Sequence, residues 1–188
     1  MTTHYIDISV RPDPESSAPQ LLGALYNRLH LTLVQHRLDN IGISFPGYTM
    51  NPRTLGTTLR LHGSDHALQQ LTQADWLKGV RDHVRMTEIA GVPAGASHRT
   101  VQRKQFKTSA ERLRRRRMRR KGETEEQAAK AIPSSMEHRP NLPYVYLRSH
   151  STGQPFCLFI TLGPLAVDAT PGSFNSYGLG GTTTIPWF

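Results

Sequence analysis

A side chain that titrates near neutrality is the one best suited to moving a proton on an alcohol. Nine histidines occur in this 188-residue sequence. One of them, His30, falls in a run where Leu21, Leu22, Leu25, Leu29 and Leu33 recur at helical spacing. That spacing puts it on the flank of an apolar stripe, in a column with Tyr26 and Arg37, at the edge of a core. The position suits a structural histidine as well as a general acid or base. The stretch Ser149-His-Ser151 beside Arg148 sets two hydroxyls and a cation in one polar turn. Such a group could grip a phosphate or position a ribose; it is also the composition of an ordinary hairpin turn. His62 and His66 are four apart but straddle a strand end and a loop, with no carboxylate cluster nearby, so the sequence predicts no metal and no cofactor. The single Cys157, inside Phe156-Cys-Leu-Phe-Ile160, excludes an internal disulfide and reads as a buried, inert thiol.

The distribution of charge names a kind of partner. The formal net charge is +9, with 23 basic and 14 acidic residues. Residues 1–98 balance, residues 99–121 carry 12 basic groups and one acidic group, and residues 122–188 are slightly acidic. Thr108-Ser-Ala-Glu111 has the pattern of a capping box and Gly122 follows Lys121 as a stop, which predicts a helix over about 109–121. On it Arg112, Arg115, Arg116, Arg119 and Arg120 fall at i, i+3, i+4, i+7 and i+8, one continuous face. Like charges at that spacing repel, and phosphates relieve the repulsion, so the stripe points to nucleic acid. Leu113 and Met118 form a thin apolar seam on its flank.

These groups need a scaffold, and the rest of the chain reads as an α+β protein. Residues 4–10 alternate as a half-buried strand, and Ser17-Ala-Pro-Gln20 starts a helix that runs to about residue 37. Strands are predicted at 41–45, 57–62 and near 82–88, with a helix after Ser64 through Leu68 and Leu71. The order βαββαβ is ferredoxin-like. The division is a domain over 1–97 and a region over 98–188 with the arginine-rich helix, a short helix over 124–131 and a β-hairpin from 144–147 and 155–160. A glycine-rich end carries neither a phosphate loop nor a dinucleotide fingerprint, which argues against nucleotide hydrolysis. The stacking signature of an RNA-recognition module is also missing. Phe156 and Phe159 face opposite sides of their strand and read as core, although one at a strand start could stack on a terminal base.

Several motifs in one order resemble a known family. His4-Tyr-Ile-Asp-Ile, Arg11-Pro-Asp-Pro14, Ile41-Gly-Ile-Ser-Phe-Pro46, Glu111-Arg-Leu-Arg-Arg-Arg-Arg-Met-Arg-Arg120, Leu147-Arg-Ser-His-Ser-Thr-Gly-Gln154 and Pro186-Trp-Phe188 are similar to the CRISPR-repeat endoribonucleases of type I-F systems, essentially end to end. The resemblance implies metal-independent cleavage at the base of a repeat RNA stem-loop, with a 2′-hydroxyl as nucleophile and a 2′,3′-cyclic phosphate as product. It implies His30 as the catalytic histidine, Ser149 as the serine holding the ribose, Ser151 as a weaker helper and Tyr177 as the residue orienting the histidine. It assigns base reading to Arg103 and Gln105 and phosphate or base contacts to the arginine face, Arg115, Arg116, Arg119 and Arg120, with Arg112 on the same stripe. Phe156 resembles the ring that stacks under the last base pair. The partners implied are pre-crRNA, the crRNA product, which stays bound, and the other subunits of a type I-F surveillance complex.

The longest apolar run is far shorter than the roughly 20 residues a membrane span requires. The opening residues lack a basic region and a cleavage site, so the expectation is a cytoplasmic protein, a monomer by itself. A non-catalytic RNA-hairpin chaperone shares every basic residue with the endoribonuclease, and cleavage alone separates the two. The unrelieved repulsion along the arginine stripe predicts a helix partly disordered without RNA; strong amide-exchange protection over 110–121 in the free protein contradicts that expectation.

Overall fold

Alternation of apolar and polar residues makes the first strand, β1 (His4–Val10), and sends Ile6, Ile8 and Val10 into the core. The structure is a computed structural model and describes residues 2–106, 110–133 and 140–188, the side chains of Glu111 and Arg112 apart. The first helix, α1 (Ala18–Gln35), starts where expected, and the Gln20 side-chain carbonyl accepts from the Ser17 N–H at 3.0 Å. All five stripe leucines are buried. They contribute on the order of 10 kcal/mol, several times what the cap supplies. Arg37 takes a left-handed conformation, φ 52, and the Leu38 N–H donates to the Leu33 carbonyl at 2.9 Å. This Schellman closure ends the helix two residues short of the expected end near residue 37, and it removes Arg37 from the column with His30.

The next strands are β2 (Gly42–Ser44), the short pair β3 (Thr49–Met50) and β4 (Arg53–Thr54), and β5 (Thr58–Gly63). Ser64 caps α2 (Asp65–Gln73) by accepting from the Ala67 N–H at 3.2 Å. The strand expected near 82–88 contracts to β6 (Val84–Met86), because a 3-10 turn occupies 81–83; β7 (Ala90–Gly91) follows. These strands form an antiparallel sheet in the order β2-β5-β1-β6, with β7 also on β1. Residues 97–104 hold β8 (Ser97–Arg99) and β9 (Val101–Lys104), which the basic composition of that stretch conceals. The expected hairpin is β10 (Tyr144–Arg148) with β11 (Pro155–Leu162), and β9 adds to it as a third strand. The last strand, β12 (Ile185–Trp187), pairs with β8. Antiparallel sheets with separate helices make the chain α+β, as expected.

Packing groups the chain into two units, residues 1–104 with 142–188, and residues 105–141. In the first, the sheets share one core, from Ile6, Leu25 and Leu61 to Val145, Leu158 and Ile185. Gly23 of α1 lies so close to the Tyr146 carbonyl of β10 that a Cβ would collide with it. The second unit holds α3 (Ala110–Lys121) and α4 (Glu125–Ala131); Thr124 and Gln127 cap α4 reciprocally at 3.3 and 3.0 Å. The capping pattern at Thr108 lies outside the described residues, whereas Gly122 does close α3 at φ 63. Among the described residues no helix is long and apolar enough to cross a membrane, and no three His, Cys, Asp or Glu residues cluster as metal ligands.

The two histidines at i, i+4 lie in different environments. His66 is exposed, and His62 is fully buried on β5, its Nε2 2.8 Å from Ser44 Oγ; its Nδ1 has no partner among the described residues. Burial holds its pKa down to about 3, with the nearby Arg60 guanidinium acting in the same direction. An imidazole depressed from 6.5 contributes stability that is complete above pH 6.5 and is lost as the pH falls toward 3. Urea unfolding of the wild type is therefore expected to lose on the order of 1 kcal/mol per pH unit below 6.5 beyond what His62→Gln loses; equal slopes contradict a neutral, buried His62.

Candidate active site and nucleic-acid interface

His30 is the half-buried edge residue that the leucine periodicity predicts. Its Nδ1 is 2.7 Å from the Ser176 carbonyl. A carbonyl only accepts, so Nδ1 carries the proton and Nε2 is the nitrogen left for chemistry. The imidazole stacks on the Tyr177 ring at 3.9 Å with an angle of 2° between planes. Tyr26, one helical turn before His30, is fully buried and donates its hydroxyl to the Tyr177 carbonyl at 2.8 Å. Burial pushes the Tyr26 phenol well above its usual pKa and keeps it a donor. Thus α1 grips the 176–177 backbone with two side chains four residues apart, and the ring of Tyr177 comes back over His30.

The turn that supplies these groups is set by Asn175, which the sequence reading missed. Its Oδ1 accepts from the Tyr177 N–H at 2.8 Å and the Leu179 N–H at 3.2 Å. Its own N–H donates to the Leu179 carbonyl at 3.0 Å, and its carbonyl accepts from Gly178 at 2.8 Å. Gly178, at φ 69, lies against Ile43 where a Cβ would not fit, and its carbonyl accepts from the Ile43 N–H of β2 at 2.9 Å. The signal in the sequence was Asn-x-Tyr-Gly, the pattern of an Asx turn, lost among the other glycines of the C-terminal segment.

Ser149 follows β10 and begins the turn. Its N–H donates to the Gln154 carbonyl and its carbonyl accepts from Gly153, both at 2.8 Å. Its hydroxyl accepts from the Thr152 N–H at 3.3 Å and lies 3.2 Å from Ser151 Oγ. The structure thus joins Ser149 to Ser151 and His30 to Tyr177; among the described residues no hydrogen bond links the two pairs. His150 and Ser151 are exposed. The Phe156 ring is half-buried rather than core, and the Arg103 guanidinium stands over it at 5.7 Å. Cys157 is half-buried rather than buried, and desolvation raises its thiol pKa, which keeps it in the unreactive thiol form.

In the second unit the arginines divide by role. Arg114 donates to the Ile132 carbonyl at 2.8 Å and Arg117 pairs with Glu123 at 2.5 Å, which ties α3 to the end of α4 and to the loop between the two helices. Arg115, Arg116, Arg119 and Arg120 are exposed and line one groove with Leu113, which belongs to the arginine face and not to a separate seam. The side chain of Arg112 lies outside the described residues. Gln105 is exposed. Four guanidiniums on one helical face give planar, forked donors suited to phosphate oxygens and guanine edges alike.

Residues 5–188 match the family of the CRISPR-associated protein Cas_Csy4. The chain is 47% identical over 185 residues, 98% of its length and 99% of the relative's, to the CRISPR-associated endonuclease Cas6/Csy4 of Pseudomonas aeruginosa (strain UCBPP-PA14). It is 42% identical over the same extent to the protein of that description from Escherichia coli (strain UTI89 / UPEC).

The hydrogen bond to Ser176 dictates a measurable tautomer. Nitrogen-15 correlation spectra of the free protein at neutral pH are expected to place the His30 proton on Nδ1. Asn175→Ala is expected to mix the two tautomers and Asn175→Asp to retain the wild-type one. A wild-type spectrum with the proton on Nε2 contradicts the anchoring by the Ser176 carbonyl.

Proposed function

The chain belongs to the Cas_Csy4 family of CRISPR-associated proteins, and from that membership we propose that it is an endoribonuclease that processes CRISPR repeat RNA. The single observation that carries the mechanism is the anchored imidazole, with Nδ1 bound to a carbonyl, a ring stacked on one side, and Nε2 available. In the proposed step the 2′-oxygen at the cut attacks the adjacent phosphorus, a bond forms between them, and the bond from phosphorus to the 5′-oxygen breaks. The products are a 2′,3′-cyclic phosphate and a 5′-hydroxyl. No metal-activated water enters this step. The Nε2 of His30 takes the 2′-hydroxyl proton when neutral or returns one to the leaving 5′-oxygen when charged. Ser149 holds the ribose with Ser151 as its helper, and Tyr177 keeps the imidazole plane in place.

Recognition in this reading is a matter of shape and charge. A-form RNA has a deep, narrow major groove, and a short stem-loop opens it at the end, where an arginine face can enter. Arg115, Arg116, Arg119 and Arg120, with Arg112, neutralise phosphates or meet guanine edges; Arg103 and Gln105 read bases near the foot of the stem; Phe156 stacks under the last pair. We read the first sheet as ferredoxin-like, supported by the order β2-β5-β1-β6 with α1 and α2 as its crossovers. Residues 98–188 form the RNA-binding region in a functional sense. The enzyme acts in the cytoplasm as a monomer, keeps its crRNA product through these many phosphate contacts, and passes with it into a type I-F surveillance complex.

The test is incubation in EDTA with the stem-loop repeat RNA of the host, beside His30→Ala and an RNA with one 2′-deoxy at the cut. Wild type is expected to cleave; His30→Ala is expected to be slower by about a hundredfold or more with binding retained, and the deoxy RNA to bind uncut. Binding without cleavage by wild type identifies an RNA chaperone, and cleavage only with added metal refutes the mechanism. A single-turnover rate that rises through the imidazole titration identifies His30 as base, and one that falls identifies it as acid. Binding is also expected to weaken with salt at a logarithmic slope of about −0.7 to −0.9 per phosphate contacted; a flat dependence rejects the arginine face as the RNA contact.

A further inference from the structure

The outer face of the β10-β11-β9 sheet is not used by the chemistry of the proposed cleavage. Alternation on β10 buries Val145 and Leu147 and turns Tyr144, Tyr146 and Arg148 outward, the two tyrosines 50% and 57% exposed. The register sets Phe159 beside Tyr144 and Cys157 beside Tyr146, and on β9 it sets Lys104 beside Phe159. The rings of Tyr144 and Phe159 are 5.4 Å apart and tilted by 55°. None of the three strands contains an acidic residue. Among the described residues neither Lys104 nor Arg148 enters an ion pair.

Rings held out on a rigid strand with cations at both ends are the parts of a single-strand nucleic-acid platform, where each base stacks on a ring and the backbone meets positive charge. Position supplies the second argument. β10 runs directly into Ser149, so a strand leaving the ribose held there passes Arg148, then Tyr146, then Tyr144, at steps of about 6.7 Å for alternate residues. A protein partner would find two cations and no acceptor carboxylate on this face, whereas a polyanion finds both of its requirements.

We propose that this face is a second RNA site, which takes the single-stranded segment flanking the stem, its bases on Tyr146 and Tyr144 and its phosphates toward Arg148 and Lys104. The inference rests on the reading of Ser149 as the residue that holds the ribose. The ligand chemistry is shared by the 5′ and 3′ flanks of the repeat, and the experiment distinguishes them.

The test uses the full-length protein and three repeat RNAs with a 2′-deoxy at the cut: the stem-loop alone, the stem-loop with a 5′ flank and the stem-loop with a 3′ flank, each flank about six nucleotides long. One flank is expected to tighten binding by at least about fivefold, the lower end of what a single base–ring stack supplies. Tyr146→Ala, and separately Tyr144→Ala, are each expected to remove part of that gain, at least about fivefold for the stack lost, and the two together to return that RNA to the affinity of the bare stem-loop, with binding of the bare stem-loop unchanged. Tyr146→Phe keeps the ring and is expected to keep the gain. A 2-aminopurine in the flank is expected to be quenched by wild type and Tyr146→Phe but not by Tyr146→Ala. Equal affinity for all three RNAs overturns the proposal, as does a gain that survives the two alanine substitutions together. A wild-type dimer in sedimentation that Tyr146→Ala dissolves assigns the face to a second copy of the chain and overturns it as well. Failure to bind even the bare stem-loop defeats the repeat-RNA reading itself and is distinguishable from these outcomes.

Discussion

The contact of α1 with β10 at Gly23 governs where the functional groups stand. A glycine inside a helix costs about 1 kcal/mol relative to alanine, and here the Tyr146 carbonyl occupies the place that a Cβ would need. That approach lets one helix lie against both sheets and bury its leucine stripe in a core common to them. The same helix, one and two turns further on, presents Tyr26 and His30 to the 175–178 turn. A helix set farther from β10 would leave the leucines half-covered and the imidazole without its carbonyl.

Around that helix the C-terminal segment acts as a strap of backbone hydrogen bonds. Gly178 bonds to β2, Gly180 donates to the Val101 carbonyl at 3.1 Å, and β12 pairs with β8. The chain end is held by Arg60, whose guanidinium binds both oxygens of Asp7 at 2.6 and 2.8 Å, donates to the Phe188 carbonyl at 3.0 Å and lies over the Phe188 ring at 4.1 Å. The Tyr5 ring lies on it as well, at 4.8 Å, and a guanidinium sheltered by two rings and a carboxylate keeps its charge satisfied, which is the condition for placing it there at all. The glycines that look like punctuation in the sequence are therefore sites of close approach: Gly178 lies against Ile43 of β2, and Gly180 against the Thr183 carbonyl within the strap itself.

Charge is handled by the same rule. Arginines that point toward protein, Arg114 and Arg117, find a carbonyl and a carboxylate, and those on the outer face line a groove open to solvent. The histidine that is fully buried, His62, gives up its charge instead, with a hydroxyl on one nitrogen. Burial decides between pairing and neutralisation.

Local periodicity and punctuation were enough to read β1, α1, α2, the short helix after Thr124 and the β10–β11 hairpin, since each is specified by residues within a turn or two of one another. The same local logic put His30 at the edge of a core and the arginines on one face. What sequence could not contain is which distant backbone each of these groups would meet. β8 and β9 hide in a basic stretch because their partners, β12 and β11, are far along the chain, and strand pairing is a non-local contact that no short window records. Asn175 differs: its Asx turn is a local pattern lost among neighbouring glycines, but the consequence of that turn, a carbonyl aimed at His30, exists only once the strap has returned across α1. The chemistry of each side chain was therefore determined by its type, and the tautomer, the stacked ring and the exposed tyrosine face were decided by tertiary structure, because hydrogen-bond partners and burial are properties of folded neighbours and not of residues.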